Sequence, residues 1–143
     1  MRDNPFQLLG VVFGSIFVLV GLAGFAVTGF GSLVGNVGVL GVFSVNPLHN
    51  VAHLVIGLLW LGSAANADSA RAAAQVFGVV YLLLSILGFF AVGAALNTLA
   101  LNTADNLLHV VSGGSALLLS ILVPRFARRN VGKPEAAAAG RGR

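Results

Sequence analysis

Charge is what this sequence has least of. Residues 4–67 contain no Asp, Glu, Lys or Arg, and neither do residues 72–104 or 106–124. A soluble domain of 143 residues keeps its surface hydrated with charged side chains, so that class is excluded. Cysteine is absent, which removes disulfides and thiolate metal sites and leaves the redox compartment unreadable. The only glutamate, Glu135, and the only lysine, Lys133, lie near the C-terminus. An HExxH metalloprotease helix and an intramembrane Schiff-base lysine are therefore ruled out. No proline falls in the middle of an expected helix, so no broken transport helix is expected and no enzyme chemistry is evident.

What remains is apolar: 57% of residues are hydrophobic, 8% are charged, and mean hydropathy is +0.96. A membrane span needs about 20 apolar residues. The uncharged runs accommodate two spans, one span and one span in turn. The expectation is an all-α, polytopic four-helix bundle with spans near residues 6–30, 47–65, 72–96 and 103–123. The first run is longer than a signal-peptide core and lacks a small-residue cleavage site, so it reads as a span. Residues 1–124 form the membrane domain. Residues 125–143 are a basic, low-complexity tail expected to be disordered.

Basic residues set the orientation. Arg2, Arg71 and the group Arg125, Arg128, Arg129 and Lys133 lie on one side, whereas loops 31–46 and 97–102 carry none. The positive-inside rule then places both termini in the cytoplasm of a multi-pass membrane protein. The net charge of +4 reflects this arrangement and the tail. It implies a lipid bilayer as partner, with room for a membrane-protein partner or a homo-oligomer, and no nucleic acid.

The chain contains a duplicated segment. Asn46-Pro-Leu-His49-Asn50-Val-Ala-His53-Leu-Val-Ile-Gly57 opens the second helix, and Asn102-Thr-Ala-Asp105-Asn106-Leu-Leu-His109-Val-Val-Ser-Gly113 opens the fourth. Asn46 matches Asn102, Asn50 matches Asn106, His53 matches His109, and His49 corresponds to Asp105. The preceding helices agree more weakly, Gly10-Val-Val-Phe13 with Gly78-Val-Val-Tyr81. Two hairpins of equal topology imply an axis along the membrane normal. The Gly10/Gly14 pair allows close helix packing. Loop 31–46, rich in glycine, reads as an interfacial loop, with a re-entrant cover over the bundle as its alternative. Tyr81, Trp60 and the phenylalanines read as packing or lipid-facing residues.

Asn46 and Asn102 have N-cap chemistry, which sets His49 and Asp105 at the third helical position and His53 and His109 one turn deeper. All three histidines and the single acid within a span thus gather at one end of two related helices, and such residues normally face the bundle interior. Three readings follow. In the first, His49, His53, Asp105 and His109 bind a metal ion, Zn or Cu. In the second, these residues and Asn46, Asn50, Asn102 and Asn106 form an interhelical capping and hydrogen-bond network in a structural or accessory subunit. The third is b-type haem held by His53 and His109. No Arg or Lys lies at that end to meet haem propionates.

The paired motifs NPLHNVAHLVIG and NTADNLLHVVSG resemble a bacterial family of small four-helix membrane proteins, common in actinobacteria and classified only as a domain of unknown function. The resemblance spans roughly residues 5–125 and implies the fold without implying an activity. On the residues themselves, the favoured reading is a membrane protein with an outward-facing His/Asp metal site.

Overall fold

The computed structural model describes residues 4–35, 37–91 and 97–123. Helix α1 (Pro5–Thr28) starts where the Asn4 side chain accepts the amides of Phe6 and Gln7, with Pro5 needing no partner in the first turn. It ends at Gly29, whose φ of 64° stops the helix. Strands β1 (Gly38–Leu40) and β2 (Phe43–Val45) then form a small antiparallel hairpin, turning at Gly41 with φ 65°. Helices α2 (Pro47–Ser63), α3 (Ala67–Ala91) and α4 (Thr103–Leu122) complete the chain.

Two expectations need correction. The third helix begins at Ala67, ahead of the expected residue 72. Asn66 accepts the amide of Ser69 at 2.8 Å, and Asp68 sits in the first turn, where the helix dipole favours a carboxylate. Loop 31–46, expected as an interfacial loop, contains a two-stranded hairpin in which residues 38–40 pair with residues 43–45. The far end of the expected third span (92–96), Arg2 and the tail from Pro124 onward lie outside the described residues.

Helices α1, α3 and α4 are long and apolar enough to cross a membrane. At 17 residues, α2 is about 25 Å long, short of a hydrocarbon core of about 30 Å. The outward faces carry large apolar side chains, Leu19, Leu87 and Phe90 among them, at 65%, 64% and 85% exposure. Surface of that kind on a folded chain is consistent with a lipid environment.

The helices pack as two pairs, α1 with α2 and α3 with α4, joined mainly through α1 and α3. Each pair meets backbone to backbone at glycine. A Cβ on Gly14 would lie 2.8 Å from the Gly57 carbonyl oxygen, and one on Gly78 would lie 3.0 Å from that of Gly113. Further along, Gly24 and Gly88 make room for the Asn50 and Asn106 carboxamides, each 2.0 Å from where a Cβ would stand. At the opposite end of the pairs, Gln7 donates to the Ala64 carbonyl at 2.9 Å, and Arg71 donates to that of Ser120. The Arg71 guanidinium also lies over the Phe6 ring.

These contacts change the register read between the first and third helices. Gly14-Ser-Ile-Phe17 occupies the place of Gly78-Val-Val-Tyr81, one turn beyond Gly10-Val-Val-Phe13. Between the pairs, Trp60 lies between Phe13 and Phe77, with ring centroids 5.8 and 5.0 Å away. Phe17 meets Tyr81 at 5.6 Å. Trp60 and Tyr81 are therefore core residues and do not face lipid.

The glycine contacts define a stability test. Gly14→Ala and Gly78→Ala push a methyl into rigid backbone and should each cost about 1–3 kcal/mol. Gly62→Ala and Gly114→Ala, on the same helices as Gly57 and Gly113 but with open space before them, should cost nothing measurable. Denaturation midpoints in a fixed detergent compare the four. Equal losses at all four positions would refute the close-packing account.

Candidate functional site

The N-termini of α2 and α4 lie at the end of the molecule covered by the β-hairpin. Asn46 caps α2 by accepting the His49 amide at 2.9 Å, and Asn102 caps α4 by accepting the Asp105 amide at 3.0 Å. Asp105 returns the favour in a capping box, its Oδ2 accepting the Asn102 amide at 2.9 Å. The amide groups of the two caps then cross over. Asn46 Nδ2 donates to the Thr98 carbonyl at 2.8 Å, in the loop before α4. Asn102 Nδ2 donates to the Val42 carbonyl at 2.9 Å and to Ser44 Oγ at 3.1 Å, in the hairpin before α2. Each helix start is thereby tied to the segment that leads into the other.

One turn below the caps, Asn50 donates to Thr28 Oγ1 at 2.9 Å, and its carboxamide fills the space at Gly24. Asn106 fills the space at Gly88, and its main-chain carbonyl accepts from Ser85 at 2.9 Å. The Asn106 carboxamide has no hydrogen-bond partner among the described residues.

His49 and His53 come together on α2. Their Nε2 atoms are 3.2 Å apart, with ring centroids at 4.4 Å. Their rings are positioned from outside α2. Backbone groups of Ser44 and Leu99 lie beside His49, and Phe17 packs on His53 at 5.4 Å. On α4, Tyr81 stacks almost parallel on His109, 5.2 Å away with planes inclined by 5°. The Nδ1 atoms of all three histidines are buried without a partner among the described residues. Unpaired buried nitrogen is costly, so three such atoms in one region call for a physical explanation.

A cavity of about 420 Å³ opens beside them. Its polar end is His53, Asp105, His109 and Ser112, while α1 contributes Phe13, Ile16, Phe17 and Val20. Leu40, Gly41, Phe43 and Val45 roof it from the hairpin, so loop 31–46 acts partly as a cover.

The expected four-donor set is only half assembled. Among the described residues, no three His, Cys, Asp or Glu side chains are placed to hold one ion. The reasons are local: Asp105 is turned into its own cap, and His109 is laid flat against Tyr81. His49 and His53 meet, and His53, Asp105 and His109 share the cavity wall. Sequence reasoning gave Tyr81 and the phenylalanines, Phe17 among them, only a packing or lipid-facing role and assigned none to Ser112. Phe17 and Tyr81 are detectable as the aromatic position three residues after Gly14 and Gly78, but only in the corrected register.

This fold and site define a class: a mostly helical protein with three helices long and apolar enough to cross a membrane and a largely buried histidine cluster under a β-hairpin. Residues 7–122 match the family model for a domain of unknown function, DUF4383, and the chain belongs to that family. No curated protein and no solved structure matches it.

The crossed caps can be tested directly. Asn102→Ala removes the α4 cap and both donors to the hairpin, and should cost about 1–3 kcal/mol. Asn102→Ser keeps a capping oxygen without the reach to Val42, and should recover only part of that loss. Limited proteolysis at residues 38–45 should accelerate in both variants. Unchanged cleavage would show that the ties do not hold the hairpin.

Proposed function

We propose that this is a four-span protein of a bacterial plasma membrane, built from a duplicated helical hairpin, that binds a transition-metal ion at its histidine cluster. The duplication is supported by contacts recurring at matched positions. These are Gln7–Ala64 with Arg71–Ser120, Phe17–His53 with Tyr81–His109, and the two crossed asparagines. In this reading α2 is a short fourth span, and the β-hairpin fills the thickness that α2 does not reach. The termini are cytoplasmic, so the histidine end faces outward.

The metal reading rests on the His49–His53 separation. Two imidazole ligands on a tetrahedral ion, with bonds of about 2.0–2.1 Å, place their nitrogens about 3.3 Å apart. The observed 3.2 Å between Nε2 atoms is that spacing, on side chains one helical turn apart. His109 and Asp105 are the further donors lining the same chamber. Zn or Cu suits imidazole donors. Haem fits less well, because His49 Nε2 stands where an iron would approach His53.

A structural role is the competing reading, and the crossed Asn46 and Asn102 ties favour it. At the histidines it replaces the ion by a shared hydrogen, one imidazole donating to the other.

Thermal unfolding with and without Zn²⁺ or Cu²⁺ separates the two. A ligand bound only by the folded protein stabilises it by about 2.7 kcal/mol at one hundred times its Kd. Metal should therefore raise the wild-type melting temperature, His49→Ala and His53→Ala should each abolish most of the rise, and His109→Ala or Asp105→Asn should reduce it. No rise in the wild type, or equal rises in the variants, leaves the hydrogen-bond network as the explanation. Independently, a cytoplasm-dependent reporter should be active after Arg129 and silent within residues 31–46. The opposite pattern would invert the orientation.

A further inference from the structure

The cavity has a shape that metal binding does not explain. Helices α1 and α4 barely touch, and both are among the helices able to cross a membrane. The cavity lies in the seam between them. Ile16 of α1 and Leu108 of α4 line it while remaining 49% and 46% exposed, so they stand at a mouth that opens sideways towards lipid. From that mouth the wall is apolar until it reaches His53, Asp105, His109 and Ser112, the last three only 4%, 6% and 8% exposed. An apolar chamber of this size ending in a few polar groups is the usual form of a small-molecule site.

We infer that the α1–α4 cavity admits an apolar, hydroxyl-headed molecule from the bilayer and holds its head at Asp105 and His109. The chemistry of the polar end selects the head. A carboxylate only accepts hydrogen bonds, and an uncharged imidazole accepts one and donates one, so the head must donate. A carboxylate or phosphate head would meet Asp105 with no Lys or Arg available in residues 72–124 or 4–67 to offset the repulsion. An ammonium head would satisfy Asp105 but would have to shed its water in an apolar mouth, a step far costlier than for a neutral hydroxyl. The body is apolar, because the mouth and the wall contributed by Phe13, Ile16 and Val20 offer no polar side chain. The inference shares His53, Asp105 and His109 with the metal reading and differs from it at His49, which is not part of the cavity wall.

The test uses full-length protein in phosphatidylcholine nanodiscs and a dodecan-1-ol carrying a mid-chain photoreactive diazirine. Labelling should concentrate on residues 13–20 and 108–112. Excess dodecanol should displace it, while dodecane and dodecanoate should not. Ile16→Trp and Leu108→Trp, which narrow the mouth, should each lower this labelling about tenfold, a loss of about 1.4 kcal/mol in binding. Both variants should keep any metal-induced rise in melting temperature, and His49→Ala should keep the labelling. Label spread evenly over outward positions such as Leu83 and Leu87 would overturn the proposal, as would equal displacement by dodecane. Stronger displacement by dodecylamine than by dodecanol would overturn the choice of head. The competition series is read on wild-type protein, so it decides even where a tryptophan variant does not fold.

Discussion

The crossed hydrogen bonds of Asn46 and Asn102 are the constraint on which the hairpin end depends. A helix start leaves its first amides without partners, and in an apolar surrounding each one must be answered locally. Here a single side chain does this while reaching outward: the oxygen caps its own helix and the nitrogen donates to the segment leading into the other. The two helix starts are therefore held at one level, and the hairpin is held over α4. Everything one turn below inherits that alignment, including the histidines and the two buried asparagines.

The glycine contacts supply the complementary constraint. Lipid offers apolar side chains no advantage in leaving it, so helices in a bilayer gain by approaching closely enough for backbone contact. Gly14 against Gly57 and Gly78 against Gly113 achieve that approach. Phe17 and Tyr81, one turn further on, then lie close enough to pack on His53 and His109. Small residues thus determine where the aromatic rings sit, and the aromatic rings determine how the imidazoles are turned.

Much of this was legible in the residues. The uncharged runs locate the helices, and Asn-Pro and Asn-Thr-Ala-Asp mark two starts to the residue, because a cap is a local interaction encoded within four positions. The membership of a family of unknown function accords with the resemblance carried by the two motifs. The start of α3 was less legible, since Asp68 and Arg71 read as loop residues. Arg71 is accommodated by the distant Ser120 carbonyl and the Phe6 ring, which no local pattern announces. The division of the four donors was not legible either. Spacing places Asp105 and His109 on one helix face, but only the tertiary structure turns Asp105 into the cap and lays His109 on Tyr81. The cavity is likewise a product of packing between elements far apart in sequence.

The cavity lies where the proposed duplication is least regular, and that placement has a physical cause. Helix α2 packs onto α3. The segment before α2 is long and folds into a β-hairpin, whose β1 packs on α1 and whose β2 packs on α4. A hairpin seated between the ends of two helices keeps them apart, so the α1–α4 seam stays open where the α2–α3 seam closes. The polar residues differ at the same place. One copy carries His49 and the other Asp105, so the open seam ends in a mixed carboxylate and imidazole lining instead of two identical ones. In the proposed duplication two equal hairpins would give two equal seams, whereas the hairpin before α2 and the differing pairs His49/Asp105 and Ile56/Ser112 make the α1–α4 chamber asymmetric. The function of this protein is best sought in that departure from symmetry.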